Sequence, residues 1–124
     1  MRNAIFALTA LLPLGGCGGD MCTNREMSRA DAPDGRHSAV MFDRDCSATT
    51  GYTVQISILG PGQQPSDGGN AFVADRPPWA KMTWVAPDHL VIRYASESRV
   101  FHQEARVDGV LITYEHVGKA PATP

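Results

Sequence analysis

Tyr52-Thr53-Val54-Gln55-Ile56-Ser57-Ile58-Leu59 is the stretch whose pattern decides the fold. Val54, Ile56 and Ile58 alternate with Thr53, Gln55 and Ser57, and a period of two sends every second side chain to the same side. The segment therefore reads as a strand with one buried and one wet face. Upstream, residues 38–44 form a second apolar run. Downstream, residues 60–69 are mostly Gly, Pro, Gln, Ser and Asp, and read as a long flexible connection with nothing to bury, followed by a short strand at 71–74.

Beyond the spacer Arg76-Pro77-Pro78, runs at 81–85 and 90–94 flank Ala86-Pro87-Asp88-His89, whose Pro-Asp pair suits a tight reversal. Asp108-Gly109 between Val107 and Val110 is the composition of a two-residue hairpin turn. That turn predicts Phe101, Gln103, Ala105 and Val107 opposite His116, Tyr114, Ile112 and Val110, with His102 and Glu115 paired on the other side. Short runs of Val, Ile, Phe and Tyr separated by Gly, Pro and Asp, without a helical period or a trusted internal repeat, predict an all-β domain. The expected architecture is a small antiparallel β-meander curled into a sandwich or open barrel.

The amino-terminal end has a different character. Arg2 precedes an apolar stretch of about eleven residues, which is the layout of an export signal and too short to span a bilayer as a helix. Leu14-Gly15-Gly16-Cys17 resembles the bacterial lipobox: a branched apolar residue and two small ones before a cysteine whose thiol takes a diacylglycerol. The expected organisation is a lipoprotein signal peptide at 1–16, a lipidated tether at 17–36, a β domain at 37–117 and a disordered tail at 118–124. The expected partner at Cys17 is a lipid bilayer, since two or three acyl chains hold a protein where one does not. Gly18 follows the cysteine, and by resemblance to enterobacterial sorting a residue other than Asp there points to the outer membrane, facing the periplasm.

Of 11 basic and 13 acidic residues, only Arg2 falls within the signal, so the mature chain carries a net charge of −3. Its Lys and Arg are scattered, which excludes a phosphate-tracking surface and makes nucleic acid an unexpected partner. Assigning one of three cysteines to lipid leaves Cys22 and Cys46, an even pair in an oxidising compartment, and hence an expected disulfide. Two sharper readings compete: a zinc site using His37, or a Cys46 nucleophile beside Asp45. Neither has the usual ligand spacing or an identifiable base.

At Pro33-Asp34-Gly35-Arg36, Ala39-Val40-Met41-Phe42, Arg44-Asp45-Cys46 and Ala48-Thr49-Thr50-Gly51 the chain resembles a family of small bacterial lipoproteins of unknown function. That family's pattern is Ser-Pro-Asp-Gly-Lys, an apolar strand, then Arg-Asp-Cys-Gly-Ala-Thr-Thr. Ala32 and Ser47 depart from it. The resemblance implies export and a lipid anchor, and it brings no catalytic or binding residues.

Among functional candidates, the polar stretch 44–51 is the most varied. Arg44, Asp45, Thr49 and Thr50 form a possible binding loop for an anion or a peptide end, weighed against a turn whose Thr hydroxyls cap local backbone. Trp79 and Trp84 would make an aromatic patch or, more ordinarily, fill a core. His37, His89, His102 and His116 lack metal-ligand spacing, Asp43 and Asp45 read as surface charge, and no cofactor is implied. The expected function is that of a non-catalytic module in the cell envelope, binding another envelope protein or a wall component. An inhibitor inserting the 60–69 loop into an enzyme cleft is the alternative, and an envelope hydrolase the third.

Overall fold

The computed structural model describes residues 22–46, 53–75, 79–96 and 98–118. The signal at 1–16, Cys17, Thr49, Thr50 and residues 119–124 of the expected tail lie outside them.

The structure is a β sandwich. One sheet has five strands in the order β1-β2-β3-β4-β7, built from Thr23–Asp31 (β1), Ser38–Asp45 (β2), Thr53–Leu59 (β3), Phe72–Asp75 (β4) and Arg99–Gln103 (β7). The other has four, in the order β5-β6-β9-β8, from Ala80–Ala86 (β5), His89–Ala95 (β6), Arg106–Val107 (β8) and Val110–Val117 (β9). Alternation puts Ala39, Met41, Val54, Ile56, Ile58 and Phe72 on the inner side of the first sheet, against Leu90, Ile92, Tyr94, Val110 and Ile112 of the second. The Phe72 ring lies 5.2 Å from that of Tyr94 and 5.9 Å from that of Tyr114, so aromatic contacts join the layers.

Several expectations need correction. The segment 17–36, expected as a tether, contains the nine-residue strand β1, paired antiparallel with β2 from Thr23↔Asp45 to Asp31↔Ser38. Its sequence, TNREMSRAD, shows no period because it is a sheet edge held mainly by main-chain hydrogen bonds, and because a bulge at Met27 shifts its phase. The Asp108-Gly109 turn forms with both residues at positive φ, 48° and 77°, as a two-residue hairpin of this type requires. The ladder it starts, however, stops after Val107↔Val110 and Arg106↔Leu111. A turn sets register and not strand length, and here the chain crosses between sheets at Glu104 and Ala105.

That crossing sends β7 to β4, where His102 faces Val73. The expected His102–Glu115 pair is absent: His102 Nε2 lies 3.3 Å from Glu104 and Glu115 lies 3.0 Å from Arg93. β9 instead runs parallel to β6, from His89↔Leu111 to Ala95↔Val117, the one parallel pairing among the described residues.

The expected wet face of β3 is buried. Gln55 and Ser57 are 7% and 3% exposed, and their cross-strand neighbours Phe42 and Val40 are fully buried. The residues after β3, expected to bury nothing, lie over this outer side of the five-stranded sheet.

Candidate functional site

The cover over the outer side is held by side chains from two strands, β1 and β3. Asn24 of β1 donates to the carbonyls of Pro65 and Asp67, both at 3.0 Å, and Arg29 donates to the carbonyl of Gln63 at 2.7 Å. From β3, Gln55 Oε1 accepts the Gly69 N–H and Ser57 Oγ accepts the Asn70 N–H at 3.1 Å. Asn70 then mimics a strand neighbour, accepting the Ile58 N–H at 2.7 Å and donating to the Ile58 carbonyl at 2.9 Å. The approach is close enough that a Cβ on Gly69 would fall 2.8 Å from the Phe72 carbonyl oxygen and 2.9 Å from Gln55 Cβ. Glycine is required there by space.

Arg44 belongs to this arrangement. Its Nη1 donates to Asn24 Oδ1 at 2.7 Å, orienting the amide whose nitrogen holds the loop. Of the expected binding loop, Asp45 is exposed at the end of β2 opposite Thr23, and Thr49 and Thr50 lie outside the described residues. Asn24, Arg29 and Gln55 escaped sequence reading because polar side chains in strands resemble a solvated face, and Asn70 because it stands in a polar loop.

Cys22 and Cys46 form the expected disulfide, one pair beyond Thr23↔Asp45, with Cα atoms 3.8 Å apart. It closes the open end of the β1–β2 hairpin. With both sulfurs bonded, neither a zinc site on these cysteines nor a Cys46 thiolate exists in this structure. Among the described residues no group of three or more His, Cys, Asp or Glu is placed to hold a metal. The histidines are dispersed: His37 Nε2 meets Asp108 at 3.1 Å, His89 Nε2 meets Thr113 at 2.9 Å, and His116 Nε2 meets the Tyr94 hydroxyl at 2.6 Å.

A small cleft of about 150 Å³ opens between β3 and the covering loop, with Ser57 and Leu59 below and residues 65–68 and Asn70 around it. Ligand pockets generally measure about 300–1,000 Å³. Asp67 is the one titratable group in its lining, so it offers no acid–base pair.

Among the described residues, no loop covers the outer side of the four-stranded sheet. Three cross-strand rows lie on it: Lys81-Arg93-Glu115, Thr83-Val91-Thr113 and His89-Leu111-Arg106. Lys81, Thr83, Arg93, Thr113, Glu115 and Arg106 are exposed, and Val91, Leu111 and His89 are half-buried. The Arg93–Glu115 pair holds one margin of a central Thr-Val-Thr row. Trp84 is on the inner side and donates its indole N–H to the Ala30 carbonyl at 2.8 Å, so it braces β5 against β1 and is not part of an outer aromatic patch.

Among the described residues, the three large apolar side chains that stay exposed share one kind of position. Met27 (51%), Val85 (57%) and Phe101 (53%) each sit where the register shifts in an edge strand, in β1, β5 and β7 respectively. A bulge leaves one residue unpaired and bends the edge, which blunts pairing with another chain.

No family model matches the chain, and neither a curated protein nor a solved structure matches it.

Proposed function

We propose that the chain is an envelope lipoprotein, anchored by acyl chains on Cys17, probing its surroundings with the open face of the four-stranded sheet. The observation that carries this reading is the inequality of the two outer sides. One is already occupied by the protein's own loop, and the other displays a mixed Thr, Val, Leu and charged surface of the sort that exchanges water for a partner's polar groups. The partner is another envelope protein or a wall component, and no catalysis is assigned. Export, the acyl anchor and an outer-membrane destination rest on Leu14-Gly15-Gly16-Cys17 and Gly18.

The inhibitor reading needs a protruding loop. Residues 60–70 lie flat, tied to Asn24, Arg29, Gln55 and Ser57, which counts against it. A hydrolase needs convergent titratable groups, and the cleft beside Asp67 has one.

Two measurements test the proposal. Intact mass of the membrane-extracted, unreduced and alkylated protein is expected to lack residues 1–16, carry acyl groups and show no alkylated thiol. A photo-crosslinking residue at Thr113 is expected to capture a discrete envelope partner, whereas the same residue at Ser66 of the loop captures none. Crosslinking from Ser66 alone would transfer the binding role to the loop, and an unlipidated mass would remove the anchor.

A further inference from the structure

We propose that the disulfide end of the sandwich docks on the lipid surface, with the turn end held away from it; this rests on the anchor at Cys17. The two ends are well defined. At one, β1 begins beside Cys22, β2 ends beside Cys46, and β4, β6 and β9 finish at Asp75, Ala95 and Val117. At the other lie the turns at 32–37, 87–88 and 108–109, where His37 of the first sheet reaches Asp108 of the second at 3.1 Å.

Tether length decides which end meets the membrane. Five residue steps separate Cys17 from Cys22, and fully extended they span at most about 18 Å. Cys22 cannot extend that reach by fraying from the sheet, because the disulfide ties it to Cys46. The eight-residue strand β2 is about 26 Å long, so contact at the turn end would require Cys22 to stand farther from the lipid than the tether allows. Part of the reach is also spent crossing the headgroup layer, which draws the disulfide end closer still to the lipid.

Trp79 is at this same end. Its carbonyl accepts the Ala95 N–H at 3.1 Å, and it immediately precedes β5. Tryptophan favours the membrane–water boundary, where its ring is buried and its N–H stays hydrated. Trp84 lies about 16 Å farther along the strand direction, toward the turn end. With the disulfide end down, the open face of the four-stranded sheet stands along the membrane normal and meets partners sideways.

The two tryptophans are built-in depth reporters. The lipidated protein is reconstituted into phosphatidylcholine vesicles containing a headgroup-spin-labelled phosphatidylcholine, which quenches nearby indoles. In single-tryptophan variants, Trp79 (in Trp84→Phe) is expected to lose several-fold more emission than Trp84 (in Trp79→Phe). Equal quenching, or stronger quenching of Trp84, would overturn the orientation. Because Trp84→Phe removes the bond to Ala30, a second variant keeps both tryptophans and inserts a Gly-Ser segment after Gly19. That insertion is expected to relieve most of the quenching, and no change on lengthening the tether would equally overturn the docking. Flotation and intact mass are read on each sample: protein that floats with acylated mass yet fails the quenching test loses the orientation alone, and protein without acyl groups loses the anchor as well.

Discussion

Tyr114 shows how much one side chain can hold between two layers. Its hydroxyl lies 2.7 Å from the Glu104 carbonyl and 3.1 Å from that of Ala71, binding β9 to the crossing strand and to the start of β4. Burial raises its pKa well above the ordinary tyrosine range, against the opposing effect of the Glu104 backbone bond, and burial also raises that of Tyr94. The unfolded phenol ionises first, near pH 10, so the stabilisation is complete below about pH 10 and is lost as pH rises toward the folded-state value. Tyr114→Phe is expected to cost about 1 kcal/mol at neutral pH and to flatten the alkaline decline in a urea-denaturation series. An alkaline decline of unchanged slope would assign it to other groups. Gly69→Ala, which sets a methyl against the Phe72 carbonyl, is expected to cost about 1–3 kcal/mol of stability, read as a lower urea midpoint. Replacing Cys22 and Cys46 by Ser removes a link across a loop of about 25 residues, for an expected loss of about 3.5 kcal/mol; an unchanged midpoint would show that hairpin hydrogen bonds alone suffice.

At the scale of the element, legibility follows alternation. Val54, Ile56 and Ile58 announce β3 because its inner side is uniformly apolar, and Asp108-Gly109 announces its turn because few residues tolerate positive φ twice in succession. The bulged edge strand β1 carries no such periodic signal. The polar side of β3 misleads for the opposite reason: Gln55 and Ser57 have the chemistry of a wet surface and are satisfied by backbone from Gly69 and Asn70. Of the candidate site, the cysteine pair was readable from its parity, whereas the open face of the second sheet depends on a long-range pairing that no local pattern encodes. The loop makes a direct test possible. Removing residues 62–66 is expected to uncover Val40 and Phe42, at roughly 1.5–3 kcal/mol for each side chain exposed, with increased binding of a hydrophobic dye. Deleting Met27 would straighten β1, and size-exclusion chromatography is expected to show self-association; a strictly monomeric variant would mean that the bulge does not guard this edge.

At the scale of the whole molecule, the chain leaves the second sheet after β6, adds β7 to the first, and returns past Glu104 to lay β9 parallel to β6, so one continuous path runs through both sheets. β9 must find β6 across the length of β7 and β8, and such non-local pairing is slow to form. Refolding with the disulfide intact is therefore expected in milliseconds to seconds by stopped-flow fluorescence, and a microsecond phase carrying the full amplitude would contradict it.

The disulfide also determines how this domain would bear a pull. Tension arriving from the amino-terminal side enters at Cys22 and has a covalent route to Cys46, at the end of β2. β1 and its turn become a slack side-loop, and the load reaches an interior strand hydrogen-bonded on both flanks. Peeling the weakest edge first is thereby avoided; in a force spectrum the oxidised protein would rupture at the β2–β3 boundary, and only after reduction would β1 come away as a separate, softer event.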